Sequence, residues 1–200
     1  MNRLRSNGSC GSQLGLRAGR ALPAEQTADA ETLIDQAWDL WEEGACKRAF
    51  AKLEQVPSSG RDDMAYLALM SMVCEKLKMH RRRLSVARLL VAADPSIDIH
   101  WVVLGHAARQ VRGGRAAVRI WHEALRKEPL FALVRWNLAH HYCALGRLRV
   151  AREQLKIALY LDPQLIAAAM DEPGFEPIWE TIAEADPPPP EEGEEWKGCD

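Results

Sequence analysis

Apolar residues in the middle of the chain recur three and four positions apart, as in Leu138, Ala139 and Tyr142 and again in Ala151, Leu155 and Ala158. That spacing lines one face of a helix. Strict Val/Ile/Thr alternation, the mark of a half-buried strand, is almost absent, and the same region is rich in Ala, Leu, Arg and Glu, which favour helix. Each apolar set is closed by an acid–proline step. Pro95, Pro129 and Pro163 lie 34 residues apart, two after Asp and one after Glu. Proline after a helical segment marks a boundary, and a fixed period between about 20 and 50 residues is the sign of a repeat architecture.

In the unit from Ala132 to Leu165, Leu138, Ala139, Tyr142, Gly146, Ala151, Leu155, Ala158 and Pro163 hold the key places. One period earlier, from Asp98, Trp101, Leu104, Gly105, Ala117, Trp121, Ala124 and Pro129 fall in the same frame. This pattern resembles the tetratricopeptide repeat, a 34-residue helix–turn–helix whose first helix carries Trp–x2–Leu–Gly–x2–Tyr. The Asp98 unit keeps Trp–x2–Leu–Gly and has Ala108 for the tyrosine. The Ala132 unit keeps the tyrosine, with Arg135 in the tryptophan place and Ala139 in the glycine place. Two further units extend the register. That from Met64 departs at Arg83 and Ala87, where a small and then a bulky residue are expected. That from Ala30 supplies Ala37, Leu40, Gly44, Ala49 and Leu53 before Pro57 shortens its second helix.

The expected fold class is therefore all-α: a right-handed α-solenoid of stacked helix–turn–helix repeats with a C-terminal capping helix. Residues 1–27 read as a disordered N-terminal extension and 28–185 as the repeat domain. Its repeats run at about 30–63, 64–97, 98–131 and 132–165, followed by a cap at 166–185. Pro173 and Gly174 interrupt what would be a fifth unit, after which Phe175, Ile178, Trp179 and Ile182 form an amphipathic stripe suited to capping. The stretch 186–200, "PPPP" followed by glutamates, reads as a disordered acidic tail, within which Trp196 stands out as a short anchor.

The resemblance implies ligand-facing places at positions two, five, nine, twelve and thirteen of each first helix. Carried across, these are Leu133, Trp136, His140, Cys143 and Ala144 in the last unit, and Ile99, Val102, His106, Arg109 and Gln110 before it. Ala65, Ala68, Met72, Glu75 and Lys76 follow in the Met64 unit, and Glu31, Ile34, Trp38, Trp41 and Glu42 in the first. A mixed aromatic and charged groove suits an extended or helical peptide. Trp136, His140, Cys143, His106, Arg109, Val102, Glu75 and Met72 are the expected contacts. The lysine/asparagine/arginine clamp with which some family members hold acidic chaperone tails is matched only at Asn137. Val102 and His106 stand where clamp residues would be.

Composition narrows the field. A net charge of −2 gives no global pull toward nucleic acid. Only "KLKMHRRR", Lys76 to Arg83, is densely basic. It is the basis of a less favoured nucleic-acid reading. Cysteines at 10, 46, 74, 143 and 199 have no paired spacing, which fits free thiols in a reducing cytoplasm. No run of about 18 apolar residues implies a membrane span. Four arginines and no acid in the first 20 residues leave a cleaved targeting peptide open.

The stretch "WNLAHHYCALG" places His140 and Cys143 on one helix face, with His106 one repeat away. Zinc would need those three to converge with a fourth ligand, and a Cys/His nucleophile would need an oxyanion-stabilising turn. Neither is evident, so no metal, cofactor or catalytic residue is expected. The reading is a non-enzymatic scaffold that binds another protein in the concave groove. A dedicated secretion or assembly chaperone is the alternative, and self-association is left open.

Overall fold

The computed structural model describes residues 24–185, with side chains described for residues 29–181; the acidic tail and residues 1–23 lie outside the described residues. The described residues form ten helices in order: α1 (Ala24–Glu42), α2 (Cys46–Leu53), α3 (Met64–Lys76), α4 (His80–Ala93), α5 (Asp98–Arg112), α6 (Gly114–Lys127), α7 (Ala132–Ala144), α8 (Leu148–Leu161), α9 (Leu165–Asp171) and α10 (Glu176–Ala185). Short 3-10 turns occupy Ser58–Gly60 and Pro173–Phe175. No strand is present among the described residues. First helices start at Met64, Asp98 and Ala132 and second helices at His80, Gly114 and Leu148, so the period of 34 is kept in the backbone.

The acid–proline steps are built turns. Asp94, Glu128 and Asp162 each end a second helix in extended conformation, which the following proline enforces. Each carboxylate then accepts the backbone N–H two residues on: Ser96 at 2.9 Å, Leu130 at 3.0 Å and Gln164 at 3.0 Å. Glu172, also before a proline, does the same to Gly174 at 3.1 Å. Within the hairpins, Gly44, Lys78 and Gly146 take positive φ (75°, 57° and 67°) at equivalent places. The next N–H reaches back five residues to the carbonyl of Leu40, Cys74 or Tyr142, closing the first helix.

α2 ends at Leu53, ahead of Pro57, and Arg61 donates to the carbonyls of Val56 and Glu54 that the shortened helix leaves open. The 3-10 turn then brings Gly60 against Ala30 of α1.

Three overlapping clusters form the core, along α1–α4, α4–α7 and α7–α10 in turn. Side-chain size is matched across three of the hairpins. A fully buried small residue on the first helix faces a bulky one on the second: Ala37 with Leu53, Gly105 with Trp121, Ala139 with Leu155. Where the second helix carries Trp121, only glycine fits opposite, because a Cβ at Gly105 would collide with the indole ring.

The α3–α4 hairpin inverts the sizes on its second helix. Arg83 holds the place of Ala49, Ala117 and Ala151, and Ala87 the place of Leu53, Trp121 and Leu155. Both are buried, Arg83 to 5% exposure.

Candidate peptide-binding groove

First helices pack on one another, α1 on α3 and α5 on α7, and in a stacked solenoid this layer lines the concave side. Positions five and nine of α5 turn toward α7. Val102 is 6% exposed within the α4–α7 core. His106 donates from Nε2 to the Asn137 Oδ1 of α7 at 2.7 Å, and Asn137 Nδ2 in turn donates to the Leu133 carbonyl. The His106 ring also meets Trp121 edge-on at 5.4 Å. Burial pulls its pKa below the usual imidazole value; the Asn137 hydrogen bond opposes this, and nearby Arg109 and Arg83 reinforce it.

The same two positions on α7 meet the chain itself. The 3-10 turn Pro173–Phe175 packs on α7. Phe175, fully buried, lies edge-to-face with Trp136 at 4.8 Å and with His140 at 5.8 Å. His140 Nε2 is 3.6 Å from Glu172 Oε1, and Gly174 sits so close to its ring that any Cβ there would collide. Cys143, 6% exposed, belongs to the core shared with α10. Burial pushes its thiol pKa up, against a hydrogen bond with the Ile178 backbone. His141 diverges from His140. It faces α6 at Gly114 and Trp121, and burial lowers its pKa. The adjacent histidines therefore serve separate contacts, and among the described residues no group of three His, Cys, Asp or Glu side chains is placed to hold a metal ion.

The open part of the concave face runs from α1 to α5. Positions two, twelve and thirteen are its exposed rows: Glu31 and Ala65, then Glu75 and Lys76, then Ile99, Arg109 and Gln110. Met72 is half-buried between them. Arg83 rises beneath this rim and donates to Glu75 Oε1 at 2.9 Å and Gln110 Oε1 at 3.4 Å; His80 Nδ1 meets the same Gln110 oxygen at 3.0 Å. Glu75 and Gln110 are thus held by α4, whereas Arg109 has no ion-pair partner among the described residues. At the α1 end, Glu31, Asp35, Asp62 and Asp63 surround a depression floored by Ile34 and Ala65. The groove is acidic at one end and basic toward α5.

The basic run from Lys76 to Arg83 is divided by this packing. Arg83 is buried. Arg82 pairs with Glu54, and its guanidinium lies 4.9 Å from the centroid of the Phe50 ring. Lys76, Lys78 and Arg81 remain exposed. Spacing along the sequence does not reveal this division. The only signal is Arg83 standing where the repeat wants a small residue. The contacts of Glu172 and Phe175 with α7 are equally hidden, since the Pro173–Gly174 interruption marks a helix break without saying where the chain returns.

Among the described residues, no helix is long and apolar enough to cross a membrane. No protein-family model matches the chain, and no curated protein matches it. Several solved structures do. A MamA segment from Desulfovibrio magneticus RS-1 aligns at TM-score 0.56 and 15% identity, covering 78% of this chain and 92% of that one. TTC0263, a thermophilic tetratricopeptide-repeat protein of Thermus thermophilus, aligns at TM-score 0.55 and 20% identity, covering 78% and 89%. YrrB, a tetratricopeptide-repeat protein described as having an unusual peptide-binding site, aligns at TM-score 0.55 and 14% identity, covering 82% and 89%. With the 34-residue register kept through helix starts, turns and core, the chain has the fold of the tetratricopeptide-repeat proteins, a right-handed α-solenoid.

Proposed function

We propose that the protein is a non-enzymatic scaffold that binds a peptide segment of another protein along the concave face of α1, α3 and α5. The observation that carries this reading is the graded open row on three successive first helices. Glu31, Asp35, Asp62 and Asp63 ring its start, Met72 lies half-buried midway, and Arg109 stands at its end with no ion-pair partner among the described residues. Such a surface fits an extended or helical peptide with a cationic end and an acidic residue further along. Solenoids present concave faces of this kind, and the peptide-binding site described for YrrB supports the same use here. Met72, Glu75, His106 and Arg109 are the contacts we assign to the ligand. Val102, Trp136, His140 and Cys143 we assign to holding the groove's shape. The free thiols Cys46, Cys74 and Cys143 support a reducing compartment such as the cytoplasm.

Peptides selected on the full chain from a random display library test the proposal. Arg109→Glu should weaken the best binder about tenfold or more, a loss of about 1.4 kcal/mol. Retained affinity in that variant, or selection of no peptide at all, would overturn the reading.

A further inference from the structure

A second groove lies on the opposite, outer layer. It opens between the second helices α4 and α6, over the buried Leu104 of α5 and beside the half-buried Ile120 of α6. Arg88, Arg112, Arg119 and Arg126 all line it and are exposed, and none has an ion-pair partner among the described residues. Glu123 is the one acid on its wall among the described residues. Four unpaired guanidiniums over an apolar floor form an anion-recognition surface suited to carboxylates in series.

We propose that this groove is the docking site for the chain's own acidic segment Glu191–Glu195, delivered by the prolines before it. Three observations converge. Glu191, Glu192, Glu194 and Glu195 offer four carboxylates to the four arginines. Thr181, near the end of α10, lies beside Leu148, Arg149 and Arg152 of α8, so the chain leaves the fold on the outer layer, one repeat beyond α6. Glu191 lies six residues beyond Ala185, the end of α10, a length of chain that reaches at most about 20 Å. The competing basic run, Lys76 to Arg83, has Arg82 and Arg83 already engaged.

Amide NMR spectra of the full chain, wild type against E191Q/E192Q/E194Q/E195Q, provide the test. At low salt the amides around Arg88 and from Arg112 to Arg126 should differ between the two proteins. The difference should collapse near 1 M salt, where the screening length is about 3 Å, and should not change on tenfold dilution. R119E/R126E should release the segment and reproduce the spectrum of the glutamine variant at the tail resonances. Unchanged outer-groove amides would overturn the proposal. So would changes confined to the concave face, or changes that fade on dilution and so report contact between copies.

Discussion

Arg83 breaks the repeat's pattern at a buried place. It takes an alanine's place, its neighbour Ala87 takes a leucine's, and Glu75 and Gln110 receive its guanidinium. Both departures are visible in the sequence; the partners of the guanidinium are not, because Glu75 and Gln110 lie on other helices. Arg83→Ala should cost about 1–3 kcal/mol, less than a fully buried pair because Glu75 stays half in water. Ala87→Leu alone overpacks the hairpin by a similar amount, about 1–3 kcal/mol. The double variant should regain most of both losses, and a urea double-mutant cycle checks this; strict additivity would refute the exchange. His106 gives a pH dependence of definite sign. Its folded pKa lies below that of the unfolded chain, near 6.5, so its contribution is complete above that value and is lost as pH falls through the folded pKa. The urea midpoint of wild type should fall relative to His106→Gln as pH drops below about 6.5. His141, also lowered, adds a separate part of the slope.

Elements were the most legible level. Proline spacing alone locates the ends of three second helices, because the residue before proline is forced out of helical conformation and its carboxylate closes the turn. The hairpin turns obey the same period. Lys78 holds a left-handed conformation that glycine supplies at Gly44 and Gly146. Lys78→Gly should therefore stabilise the protein by about 0.5–1 kcal/mol, seen as a raised urea midpoint. A midpoint that falls would mean that Lys78 makes contacts worth more than its backbone strain. The groove was less legible. Val102, Trp136 and His140 read as ligand-facing by family resemblance, yet Val102 is buried in the α4–α7 core and Trp136 and His140 meet Phe175. A repeat pattern specifies each unit, whereas a terminal contact depends on the segment beyond the last unit.

At the scale of the molecule, overlapping cores make each hairpin depend on its neighbours, as in any solenoid. The turn after α9 closes one end of the concave face, leaving the stretch from α1 to α5 open. The outer layer carries four arginines with no ion-pair partner among the described residues. The two faces thus differ in charge and in the kind of segment they can hold. Amide shift mapping of the full chain with its best display-selected peptide tests the central claim most directly. Changes should cluster at Glu31–Asp35, Ala65–Lys76 and Ile99–Gln110, with α8 and α10 silent. A footprint centred on Trp136, His140 and the Pro173–Phe175 turn, or on the outer helices, would contradict it.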